Sequence, residues 1–182
     1  MGRGREGCGL PPGGGTDDEG GGARHARGRL GWGSRRDAGR QPGRCLVIVD
    51  TSVWVEYLRR TESAFDLFLD AEIQAGRPIA TPAAAAMELL AGCRTEPEAL
   101  KLSQLLSRFE VLVPETVADF QHAALVYRTC RRAGHTIRSI VDCLVAAAAI
   151  RTQRPLLARN RDFEAIARYT GLELVVPRNC RR

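Results

Sequence analysis

Cys45-Leu46-Val47-Ile48-Val49-Asp50-Thr51-Ser52-Val53-Trp54 runs five apolar side chains straight into a carboxylate and two hydroxyls. A short unbroken apolar run predicts a strand buried on both faces, the kind found in parallel sheets. In such sheets the ligand crevice opens at the carboxyl ends of the strands, so Asp50 stands at that exit on a rigid element. Ser52 or Thr51 is then expected to cap the helix that follows, Val53–Leu58. The plain alternative for Asp50 is a turn residue without chemistry. Other acids in the chain have to decide.

Outward from that strand, helices and short strands alternate. Ala64–Ala75 has Phe65, Phe68, Leu69 and Ile73 at helical spacing and is ended by Gly76. Arg77–Ala80 is expected as a brief strand, with Thr81 as cap and Pro82 as first residue of a helix through Ala91. Helices are predicted over Glu96–Arg108, Glu115–Arg132, Ser139–Gln153 and Phe163–Tyr169. Strands are predicted over Phe109–Val113, Pro155–Ala158 and Leu172–Val176. This order specifies an α/β fold, a three-layer α/β/α sandwich around a small, mainly parallel central sheet.

Composition divides the 182 residues sharply. Residues 1–44 hold 15 of the 19 glycines, with nine basic and five acidic residues, so they carry net +4 of the chain's +6. Such a segment buries too little apolar surface to offset the entropy of ordering, and it is expected to be a disordered Gly/Arg-rich extension. Residues 179–182 are expected as a basic tail. Lys101 is the single lysine, and no glycine run ends in Gly-Lys-Ser/Thr, so a phosphate-cradling loop is excluded. No apolar stretch approaches the ~20 residues of a membrane span, and the Arg35-Arg36 pair lacks a signal core behind it. The six cysteines (8, 45, 93, 130, 143, 180) have no metal-binding spacing and read as reduced thiols of a cytoplasmic protein.

Four acids stand apart from the other carboxylates. Asp50 is at a strand exit. Glu88 is the sole charge of Ala83–Ala91, and Asp142 the sole charge of Ser139–Ile150. Asp162 opens the last helix. Each has a structural alternative: Asp142 with Ser139 matches a capping box in outline, and Asp162 is also placed to cap. Glu88 resists that reading, because an unpartnered carboxylate among Ala, Met and Leu costs several kcal/mol. Carboxylates gathered in one crevice repel and call for a cation between them. With no His or Cys cluster to select a softer metal, that ion is Mg²⁺ or Mn²⁺.

Asp50-Thr-Ser, Glu88 in Met-Glu-Leu-Leu, Ser139-Ile-Val-Asp142-Cys-Leu-Val-Ala-Ala and Asn160-Arg-Asp162-Phe163 resemble the successive motifs of the PIN-domain ribonucleases, in particular the VapC toxins of toxin–antitoxin pairs. The resemblance runs over residues 45–177 and implies a PIN-like nuclease domain at 45–178. It implies Asp50, Glu88, Asp142 and Asp162 as the acidic site, with Asp50 and Asp142 the principal metal ligands. Ser52 and Asn160 would be orienting residues. One departure is Ala158, where the family often carries a hydroxyl. The resemblance further implies Mg²⁺-dependent hydrolysis of RNA, a cognate antitoxin that covers the site, and a homodimer.

RNA approaching an acidic pocket requires arginines at its rim. Arg138, Arg159 and Arg161 adjoin the acids, and Arg128, Arg131 and Arg132 form a second group that fits a solvated helix face equally well. His122 and His135 read as structural or exposed. Trp54, Tyr57, Leu58, Phe65 and Phe68 would line a helix-binding groove if exposed and a core if not. Two rival functions remain: a catalytically silent RNA- or protein-binding domain of the same fold, and a phospho-receiver or phosphatase. The phosphatase needs a second Asp where Ser52 stands, and both usually need a lysine after a later strand, where the chain has none.

Overall fold

The computed structural model describes residues 46–177; the expected extension at 1–44 and tail at 179–182 lie outside the described residues. Four parallel strands form the sheet in the order β3-β2-β1-β4. They are β1 (Val47–Val49), β2 (Ile79–Pro82), β3 (Glu110–Leu112) and β4 (Leu156–Leu157). Seven helices join and cover them among the described residues: α1 (Thr51–Arg59), α2 (Ala64–Gln74), α3 (Ala83–Ala91), α4 (Glu96–Leu106), α5 (Val117–Arg132), α6 (Ile140–Thr152) and α7 (Arg161–Tyr169).

The alternation of side chains along β1 sets the three layers. Ile48 points into a cluster with Val126, Cys130, Cys143, Ala146, Phe163 and Ile166, which α5, α6 and α7 contribute. Val47 and Val49 point the other way, into Trp54, Leu69, Leu89, Leu102 and Leu106 from α1 to α4. Ile48 is wholly buried between two neighbours, paired with Ala80 and Leu156. Trimming such a residue to Ala costs about 2–5 kcal/mol.

Local cap chemistry departs from expectation in four places. The cap of α1 is Asp50 itself, not Ser52 or Thr51: its extended backbone lets Oδ2 accept the Ser52 N–H. Thr81 and Pro82 belong to β2, because the ladder with β3 continues through Thr81↔Val111 and Pro82↔Leu112. Pro82 then starts α3 without any side-chain cap. Asn160, rather than Asp162, caps α7, which begins two residues earlier than its apolar spacing suggests. Finally, the strand expected at 172–176 contracts to one parallel bridge, Leu174↔Leu156. β4 has only two residues to offer a partner.

No helix among the described residues is long and apolar enough to cross a membrane.

Candidate active site

β1 delivers Asp50 to the carboxyl edge of the sheet, where 5% of the residue is exposed. Its own N–H donates to the Leu157 carbonyl at 3.0 Å, which fixes the strand exit against β4. Asp50 Oδ2 accepts from Ser52 N–H at 3.0 Å and from Ser52 Oγ at 2.6 Å. Ser52 Oγ in turn accepts the Arg159 N–H at 3.0 Å. One hydroxyl therefore links the exit of β1 to the loop behind β4.

α6 is apolar almost throughout, with Cys143, Val145, Ala146, Ala147 and Ala149 buried. Its first turn nevertheless carries Asp142, only 8% exposed. Ser139 caps the helix through Val141 N–H, so the Asp142 carboxylate is not spent on capping. Asn160 Nδ2 donates to Asp142 Oδ2 at 2.7 Å instead. Burial, followed by the negative charges of Asp50, Asp162 and Glu88, pushes the Asp142 carboxyl up to about 7 in spite of that bond. Burial also raises Asp50, with Glu88 adding to it, against the pull of its Ser52 bonds. Each of the other three acids thus lies within electrostatic reach of Asp142.

Glu88 sits half-buried on α3, and Thr51 Oγ1 donates to its Oε2 at 2.6 Å. Asp162, in the first turn of α7, accepts the Arg138 backbone N–H and Arg138 Nε–H on Oδ2, both at 3.1 Å. Arg138 Nη2 also reaches Asn160 Oδ1 at 3.1 Å. Asn160 is consequently the hub of this side: it caps α7, holds Asp142 and meets Arg138. The Ala158 methyl packs against the core, and the bond to Asp142 comes from Asn160.

Among the described residues, no group of three or more His, Cys, Asp or Glu side chains is arranged to hold a metal ion. The donor chemistry still fits a hard cation. Every hydrogen bond named above falls on one oxygen per carboxylate, Oδ2 of Asp50, Asp142 and Asp162 and Oε2 of Glu88. Their second oxygens accept none of the bonds named above. Two raised carboxyls in one low-water crevice are what a divalent ion would relieve.

The rim arginines divide. Arg138 is committed to Asp162 and Asn160. The Arg159 guanidinium is paired with Glu56 of α1, while Arg161 is exposed and has no ion-pair partner among the described residues. Arg128, Arg131 and Arg132 are exposed on the last turns of α5. His135 stacks at 5.2 Å on Tyr169 and stays structural. Sequence reasoning missed two residues. Thr51 was read only as a cap, and nothing local shows that its hydroxyl meets an acid 37 positions away. Glu56 lies four residues after Ser52 on the same helical face, and that spacing was the available signal, since both hold Arg159. Of the two readings of the aromatic set, core holds for most of it: Trp54 is wholly buried, and Tyr57, Phe65 and Phe68 pack against the core. An open groove between α1 and α2 is lined by Tyr57, Leu58, Arg60, Asp66, Leu67, Asp70 and Gln74.

Residues 47–169 match the family described as the PIN domain. The chain is 38% identical over 135 residues to a VapC ribonuclease of Mycobacterium bovis, spanning 70% of this chain and 96% of that protein. The same figures hold for Ribonuclease VapC11 of Mycobacterium tuberculosis. In fold, it is similar to VapBC2 from Rickettsia felis bound to a promoter DNA fragment (TM-score 0.58, 18% identity, 71% of this chain and 97% of that chain). It is also similar to FitAcB from Neisseria gonorrhoeae (TM-score 0.55, 21% identity, 72% and 98%).

Proposed function

The chain belongs to the PIN-domain family, in its VapC ribonuclease branch, and from that premise we propose that it is a Mg²⁺-dependent endoribonuclease acting as the toxin of a toxin–antitoxin pair. The observation that carries this reading is the approach of Asp50, Asp162 and Glu88 to buried Asp142, close enough for their charges to help raise its carboxyl. Asp50 and Asp142 are the principal metal ligands, and Glu88 and Asp162 complete the acidic site. Ser52 and Asn160 orient Asp50 and Asp142 through the bonds already described.

Bound Mg²⁺, or Mn²⁺ in its place, supplies activation of water and relief of charge at the scissile phosphate. The residues of the chain do the rest. Burial raises both Asp142, to about 7, and Asp50, so a divalent partner would offset charge that the fold disfavours. Thr51 keeps Glu88 turned toward the same crevice. Arg138, Arg159 and Arg161, adjacent in sequence to the acids, are the proposed contacts for the RNA backbone, with Arg128, Arg131 and Arg132 a second group. Single-stranded RNA is the substrate best suited to a crevice at the sheet edge.

The partner expected for the α1–α2 groove is a helix of an antitoxin, with Leu58 and Leu67 for its apolar side and exposed Asp70 for its basic side. A second copy of the chain is the proposed neighbour of Val111, Val113, Val117 and Phe120, exposed apolar residues on β3 and the start of α5. The pair would work in the cytoplasm, with the nuclease domain at 45–178 and the Gly/Arg-rich segment at 1–44 outside it. Incubating the protein with RNA in Mg²⁺ and in EDTA tests the reading. Cleavage in Mg²⁺ that stops in EDTA and in Asp50→Asn supports it; RNA binding without turnover in either metal favours a silent binding domain.

A further inference from the structure

Arg138 makes three convergent hydrogen bonds: its N–H and Nε–H both meet Asp162 Oδ2, and Nη2 meets Asn160 Oδ1. The Arg138 side chain is 75% exposed, while the carboxylate that grips it is 13% exposed. As a stability device this is poor value, since ion pairs with an exposed partner contribute about 0–1 kcal/mol. What two bonds to the guanidinium and one to its own backbone N–H do accomplish is orientation. With Nε–H and one Nη2–H committed, the remaining donors on Nη1 and Nη2 face outward as a fixed fork.

Resting on the ribonuclease reading above and deepening it, we propose that Asp162 is a positioning residue for Arg138 rather than a metal ligand. The guanidinium so held takes a non-bridging phosphate oxygen of the bound RNA strand. Charge supports this division. Asp50, Asp142 and Glu88 already offer enough negative charge for one divalent ion, and the substrate brings more. A carboxylate whose charge is offset by a guanidinium is a weak ligand, and a cation beside the metal would be repelled if Asp162 served both. At the rim the same guanidinium meets only the incoming anion, through the planar geometry that suits phosphate.

The experiment compares wild type, Asp162→Asn, Arg138→Ala and the double variant. Calorimetric titration with Mn²⁺ reads the metal site, and steady-state cleavage of a single-stranded RNA at saturating Mn²⁺ reads kcat and KM. Asp162→Asn is expected to hold Mn²⁺ within about threefold of wild type while KM for RNA rises about tenfold, the loss of about 1.4 kcal/mol of binding. Arg138→Ala should give the same rise, and the double variant no more than either single one. Asp162→Glu should recover part of the KM. Retained Mn²⁺ affinity also certifies that the variants are folded. A tenfold loss of Mn²⁺ affinity in Asp162→Asn, or a double variant showing the product of the single effects, overturns the proposal. If wild type neither binds Mn²⁺ nor cuts RNA, the ribonuclease reading fails first. Anisotropy of a labelled RNA then still decides: equal losses of affinity in both single variants uphold the Arg138 anchor, and wild-type affinity in either refutes it.

Discussion

Thr51 Oγ1 donates to Glu88 Oε2 at 2.6 Å, joining the first turn of α1 to the middle of α3. Without that hydroxyl the only charge on an otherwise apolar helix would be left to choose its own direction. Hydrogen bonds to ionised groups contribute about 1.5–3 kcal/mol. Thr51→Val is therefore expected to lower kcat for RNA cleavage about tenfold, equivalent to about 1.4 kcal/mol of barrier. Thr51→Ser, which restores the donor, should recover most of it. Single-turnover rates of the two variants check this.

Ser52 Oγ gives one hydrogen bond to Asp50 and accepts another from Arg159 N–H. Ser52→Ala removes both and frees the loop that carries Asn160. The cost should be about 1–2 kcal/mol, which lowers Tm by roughly 3–8 °C for a domain of this size. Glu56→Gln loosens the same loop from the other side by weakening the Arg159 pair, and its melting shift should be smaller because Arg159 is half exposed. Thermal melts of the two variants give the ranking.

Metal-free protein should lose stability as pH rises. The folded state raises Asp142 from its ordinary 3.8 to about 7, so between those values the folded chain holds a proton that the unfolded chain has released. Raising pH through this window then favours unfolding, and the raised Asp50 adds to the trend. Asp142→Asn removes the charge and keeps the shape. It is expected to melt higher than wild type at pH 8 in EDTA and to show a flatter pH profile. Mn²⁺ should narrow the difference by stabilising only wild type.

How far the sequence alone reached follows from the range of each interaction. The strand at 47–49, the acid behind it and the helices ended by Gly76 and Gly134 were legible, since these are local patterns; both glycines take positive φ. The extension of β2 through Pro82 was not, because it depends on pairing with Leu112, and proline loses nothing there that the ladder needs. The identity of the acidic residues was legible as lone charges in apolar helices. Their holders were less so: Ser52 sits beside Asp50, whereas Thr51–Glu88, Asn160–Asp142 and Arg138–Asp162 join separate elements. For Trp54 the sequence leaves groove and core equally open, and only its neighbours in space decide for the core.

Trp54 Nε1 donates to Thr81 Oγ1 at 3.1 Å inside the core. Both residues are wholly buried. Thr81→Val keeps the volume and orphans the indole N–H, at about 1–3 kcal/mol. The expected outcome is a lower denaturant midpoint with an unchanged slope, measured by urea unfolding. Cleavage activity at a temperature where the variant is folded should match wild type.

The most direct measurement of the central claim is anomalous diffraction from crystals soaked in Mn²⁺. The account predicts a peak at the carboxyl edge of the sheet, about 2.0–2.2 Å from an oxygen of Asp50 and one of Asp142, the range of hard-cation coordination. A peak bound elsewhere, with Asp50 and Asp142 left without metal in crystals of active protein, would contradict it.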